Sequence, residues 1–209
     1  MRRRTTGWLV SACAAVIVAG GAVTYAVADG DGGPNDLTVP AAESADAGFA
    51  RDMAVHHQQA VEMAYIVRDR TKDEEVRRLA YDIAQTQANQ RGMLLGWLDL
   101  WELPKVSAKP PMAWMGMADA PAGEDGALMP GMATDTQLEA LRSASGKQAE
   151  VMFLRLMIAH HKGGVHMAEG CVRRCEVGAE RRLARGMVAS QQSEIDLMTG
   201  MLKERGAKP

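Results

Sequence analysis

The chain has 209 residues, 47% of them hydrophobic, which suits one domain of ordinary size with a real core plus some additional sequence. Its formal net charge is −2, and three of its cations are the consecutive Arg2, Arg3 and Arg4, so the basic surface that nucleic-acid binding needs is excluded. The unusual feature is 15 methionines beside 2 phenylalanines and 3 tyrosines. Methionine fills cores flexibly, and its thioether is also a soft ligand that selects Cu(I).

In chain order, Arg2–Arg4 form a positive leader, followed by an apolar stretch from Trp8 to about Val27. Ala26-Val27-Ala28 then offers a small-x-small cleavage site, so residues 1–28 read as an export signal. The stretch is also close to the roughly 20 residues needed to span a bilayer, so an uncleaved anchor is the alternative. Val10-Ser11-Ala12-Cys13 loosely imitates a lipoprotein cleavage box, but the apolar stretch runs well past Cys13. Either way the rest of the chain is expected outside the cytoplasm, touching a membrane only through this leader. Residues 29–45, rich in Gly, Asp, Pro and Ala, read as a linker.

The domain is expected over 46–206. A first helix is predicted over about 46–69, with Phe49, Met53, His56, His57, Ala60, Met63, Ala64 and Val67 within one face at 3.6-residue spacing. The short turn Arg70-Thr71-Lys72 leads to a second helix over about 73–101, closing a hairpin over 46–101. The crossover, 102–146, holds Pro104, Pro110, Pro111, Pro121 and Pro130, which keep it non-helical, and Met112, Met115, Met117, Met129 and Met132. Those thioethers either collect Cu(I) from a mobile loop or fold over the domain as apolar cover with Trp114. Thr134-Asp-Thr-Gln137 resembles a capping box that opens a short helix through Leu141. Two further helices, about 147–174 and 178–205, make a second hairpin over 147–206.

The two hairpins are one unit written twice. Phe49-Ala-Arg-Asp-Met53-Ala-Val-His56-His57 matches Phe153-Leu-Arg-Leu-Met157-Ile-Ala-His160-His161 at an offset of 104. The same offset aligns Met63 with Met167, Arg77-Arg78-Leu79-Ala80 with Arg181-Arg182-Leu183-Ala184, and Gln87 with Gln191, so the unit is long and duplicated. Such hairpins bury their stripes against each other, which predicts an all-α four-helix bundle with one long Met- and Pro-rich crossover.

The chemistry sits on those stripes. His56, His57, His160 and His161 are core-facing, with Met53 and Met157 one turn before them. Four buried imidazoles need a partner for every nitrogen; a metal supplies one and a hydrogen-bond acceptor the other. Gln87, Gln90, Gln191 and Glu194 occupy core-facing positions and are expected to orient the rings, with or without metal, Glu194 being a possible ligand. Neutral imidazole with thioether suits copper in either oxidation state, while zinc is possible through His and Glu. The Glu-x-x-His pair of carboxylate di-iron proteins is absent from all four helices. His166 and Glu62 fall opposite the stripe and are expected in solvent. Cys171 and Cys175 continue the core face. Outside the cytoplasm their default is a disulfide, which needs a distorted or frayed last turn, and the rival is a dithiol copper clamp.

Asp52-Met-Ala-Val-His-His-Gln-Gln-Ala-Val-Glu-Met-Ala64, Met157-Ile-Ala-His-His-Lys-Gly-Gly-Val-His-Met-Ala168 and Gln191-Gln-Ser-Glu194-Ile-Asp-Leu-Met198 resemble the signature of the bacterial family called domain of unknown function 305. The resemblance covers about 45–205. It implies a ferritin-like bundle, exported, with some members linked to copper binding and tolerance. The implied ligands are Met53, His56, His57, Met63, Met157, His160, His161 and Met167. Gln90 stands where the second repeat has Glu194, which separates the two hairpins. The expected function is copper binding or sequestration. The alternatives are a metal-dependent oxidoreductase on the same histidines or a metal-free partner-binding bundle, although no acid–base pair or nucleophile demands catalysis. Oligomeric state is left open.

Overall fold

A helix begins where its first free N–H groups find an acceptor, and the ends seen here follow that rule. The Ser44 hydroxyl accepts from Ala47 N–H and opens α1 (Ala45–Arg70). Asp73 accepts from Glu75 and Val76 and opens α2 (Glu74–Leu100). Thr134 and Gln137 form the reciprocal capping box of α3 (Asp135–Ser143), as their spacing predicts. The second hairpin is α4 (Gly146–Arg174) and α5 (Gly178–Glu204). The four long helices end within a residue of the positions read from the pattern.

The computed structural model describes residues 39–118 and 125–209; the leader and most of the linker lie outside them. Among the described residues the protein is all-α, with one 3-10 turn at Ala113–Met115 inside the crossover and no strand. No described helix is long and apolar enough to cross a membrane.

Helix α1 packs chiefly on α2 and α4 chiefly on α5, and the hairpins meet along α1 and α4. The interior is two apolar clusters. One holds Met63 and Val67 of α1, Ile83 of α2, Phe153 and Met157 of α4 and Met198 of α5. The other holds Phe49 and Met53 of α1, Leu94 of α2, Met167 and Cys171 of α4 and Met187 of α5. Each helix enters one cluster and leaves by the other. The stretch it crosses between them carries His56 and His57, Gln87, His160 and His161, or Gln191. A polar layer therefore divides the core.

The crossover is tied down rather than loose. Asp52 accepts from Met112 N–H at 2.7 Å and from Trp114 Nε1–H at 2.8 Å. The Gln59 side chain exchanges two hydrogen bonds with the Ala133 backbone, at 2.9 and 2.7 Å. Met112, Met115 and Met129 are buried in the second cluster, with Met117, Met132 and Trp114 packed against it. Of the two readings of these thioethers, the structure adopts apolar cover.

Candidate metal centre

All four motif histidines are fully buried, and each Nε2 is committed to oxygen. His56 Nε2 faces the Pro130 carbonyl at 3.3 Å, and His160 Nε2 faces the His56 carbonyl at 3.0 Å. His57 Nε2 meets Gln90 Oε1 at 2.8 Å, and His161 Nε2 meets Glu194 Oε2 at 2.6 Å. Backbone carbonyls, a carboxylate and the Gln90 amide oxygen all accept only, so the nitrogens that face them carry the protons. A neutral ring with Nε2–H leaves Nδ1 as a bare lone pair. All four Nδ1 atoms are buried without any partner.

Burial keeps the rings of His56, His57 and His160 neutral. Desolvation is the leading cause that lowers His56 to about 4 and His57 to about 3, with the neighbouring imidazoles adding repulsion in both cases. His160 is pushed in the same direction, again by desolvation first and then by the other three histidines. The rings of His56 and His160 lie 3.8 Å apart at 33°, one from each hairpin, at the centre of the layer. Neutrality allows this close approach, which two imidazolium rings would oppose.

The model of DUF305, a domain of unknown function, matches residues 46–202. The chain belongs to the DUF305 family. It is similar to a Streptomyces coelicolor structure named as a secreted DUF305 protein, with 71% identity over 80% of this chain and 98% of the other, at a TM-score of 0.75. A DUF305 fragment from Deinococcus radiodurans is 31% identical over 77% of this chain and 96% of that one, with a TM-score of 0.63. CopM in its Cu(II)-bound form is 26% identical over 76% and 96%, with a TM-score of 0.59. No curated protein matches the chain.

The donors of this DUF305 chain suit a metal ion. Buried polar atoms are ordinarily paired, and four imidazole lone pairs in one layer are not. The thioethers expected as ligands flank that layer: Met53 and Met167 lie in one apolar cluster, Met63 and Met157 in the other, all fully buried. The histidines nevertheless do not form a closed cage. Among the described residues, the group of three His, Cys, Asp or Glu donors within 4.8 Å of one another is Cys171, Cys175 and Glu180.

The expected orienting groups divide in two. Gln90 and Glu194 hold His57 and His161, whereas the Gln87 and Gln191 amides are buried and touch no partner. Residues 87 and 90 share a face but stand a turn apart, and only the later one reaches its histidine. Gln191 instead lies against the α4 backbone, where a Cβ on Gly164 would meet its Oε1 at 2.3 Å. His166 is exposed, and Glu62 is half-buried and paired with Arg142. The sequence reading missed the Pro130 carbonyl, since a backbone acceptor carries no side-chain signal. Cys171 and Cys175 are joined as a disulfide with Cα atoms 4.8 Å apart. Cys175 is the first residue beyond α4 and has extended backbone, which supplies the frayed end that the spacing demands.

Proposed function

We propose that this chain binds copper outside the cytoplasm, sequestering the ion in the histidine layer of a ferritin-like four-helix bundle built from the duplicated hairpin. The observation that carries the proposal is the set of four buried Nδ1 lone pairs, each left bare by an Nε2–H already committed to oxygen. His56, His57, His160 and His161 are the nitrogen donors, and Met53, Met63, Met157 and Met167 the flanking thioethers. Imidazole and thioether together suit copper in both oxidation states better than hard cations. The likeness to CopM in its Cu(II)-bound form supports the same ion. The positive leader, its small-x-small site and the relative named as secreted support the location. Gln90 and Glu194 orient two rings and raise the basicity of their Nδ1 atoms. When bound, the ion supplies the missing partner for the buried lone pairs.

Copper uptake by the purified full chain, measured by equilibrium dialysis under Cu(I) and Cu(II) conditions, tests this. The chain is expected to bind copper and to melt higher with it, by mass action. Replacing all four histidines with leucine, with the Cys171–Cys175 disulfide intact, should abolish uptake while preserving the helical spectrum. No uptake in either redox state, or unchanged uptake in the leucine variant, overturns the reading.

A further inference from the structure

The 104-residue repeat exposes a place where the hairpins differ. Cys171, Cys175 and Glu180 correspond to Val67, Thr71 and Val76, and all six positions are buried. One hairpin thus carries two sulfurs and a carboxyl where its twin carries two apolar side chains and a hydroxyl. The Glu180 carboxyl is 0% exposed, receives no N–H or O–H from a neighbouring donor group, and has the Asp46 carboxyl beside it. Its oxygen and the two Sγ atoms lie within 4.8 Å of one another.

The surroundings add a second acid and no cation. Asp46, 2% exposed, sits at the same end of α1, where its Oδ1 accepts from Glu176 and Val177 N–H at 2.9 and 2.7 Å. The corresponding residue of the other hairpin is Glu150, and that acid is fully served. Thr71 Oγ1 donates to it at 2.6 Å and Arg205 Nε at 2.8 Å. The counterpart of Arg205 is Trp101, which brings no charge. Of two related ends, one holds a guanidinium against its buried acid. The other holds two acids, two sulfurs and no ion pair among the described residues. A buried carboxylate without a cation is costly, so such a group keeps its proton, and a bound metal cation can take that proton's place.

We propose that reduction of the Cys171–Cys175 disulfide opens a second metal site, in which the two thiolates and the Glu180 carboxylate bind a thiophilic d10 cation, Zn(II) being the best match. Thiolate mixed with carboxylate is a donor set that zinc takes readily. The reductant is a dithiol donor. It passes two electrons and two protons to the S–S bond and becomes a disulfide itself, leaving two thiols here. Each thiol, and the protonated Glu180 carboxyl, then releases its proton as its sulfur or oxygen binds the ion. The joined cysteines cannot bind in this way, so the site exists only in the reduced chain. It is separate from the histidine layer and does not depend on the copper reading.

The test is zinc stoichiometry by anaerobic equilibrium dialysis against Zn(II) alone, on the full chain with the four motif histidines replaced by leucine. Disulfide and dithiol forms are compared. The reduced form is expected to hold one more Zn(II) per chain than the oxidised form. Cys171→Ser with Cys175→Ser should remove that extra ion, and Glu180→Gln should weaken it at least tenfold. Glu180→Val restores the residue of the first hairpin, so it should fold at least as stably yet lose the ion, which separates ligation from unfolding. Equal zinc in both redox forms, or undiminished affinity in Glu180→Gln, overturns the proposal. Should the leucine background fail to fold, the same comparison on the unaltered chain reads the same difference between redox forms.

Discussion

A neutral imidazole has one N–H to give and one lone pair to share, and the site turns on which nitrogen does which. Glu194 holds the Nε2 proton of His161, so Glu194→Gln removes the charge from that acceptor while keeping its shape. Copper affinity should fall about 10- to 100-fold by competition titration, with an unchanged helical spectrum. The same burial gives stability a pH profile. His56, His57 and His160 titrate below their unfolded value of 6.5, so the unfolded chain gains protons first as the medium becomes acidic. Their contribution is fully present above about 6.5 and is lost as pH falls toward 4, at about 1.4 kcal/mol per pH unit for each ring. Glu180 acts with the opposite sign. Burial, and then the Asp46 charge, push it up from 4.5 to about 9, so its contribution is present in acid and is lost as pH rises between those values. With three rings against one acid, the metal-free chain should be most stable near pH 6.5. Urea midpoints measured from pH 4 to 9 check this, and a midpoint that climbs steadily toward pH 4 would contradict it.

Helices and crossover obey different rules. The helices were legible because their apolar residues recur every 3.6 positions and their caps are local: Asp73, Thr134 and Gln137 lie within a turn of the groups they bind. The crossover has no period, and its course depends on partners 60 to 74 residues away, such as Asp52, His56 and Gln59. Its tightest point is the passage of Pro130–Gly131 over α4, where a Cβ on Gly163 would come within 1.9 Å of the Pro130 carbonyl. Backbone cannot yield there as a flexible side chain can. Gly163→Ala should therefore lift this segment, expose the histidine layer and destabilise the chain by about 1–3 kcal/mol in denaturant titration. Hydrogen exchange at Met132 and Ala133 should accelerate in that variant. Gly186→Ala meets nothing within 4 Å and serves as the control.

Across the whole molecule the positions where the 104-residue sequence match breaks down carry the individuality of the chain. Arg205 binds Glu150 and Asp73 at one end, with side chains 9% and 11% exposed for the first pair. Arg205→Met would leave Glu150 buried without its cation and should cost about 3 kcal/mol by thermal or urea unfolding. A variant that also carries Glu150→Met should recover part of that loss. The sequence by itself determined the all-α class, the long-helix limits, the repeat and the candidacy of His56, His57, His160 and His161, because periodicity, caps and internal repetition are properties of neighbouring residues. Only the tertiary structure decided which nitrogen each ring keeps bare, that Gln90 and Glu194 rather than Gln87 and Gln191 hold the rings, and that the crossover methionines join the core. It also decided that Glu180 reaches the cysteines. Each of these depends on groups brought together from distant parts of the chain, and in two cases on a backbone carbonyl that every residue possesses.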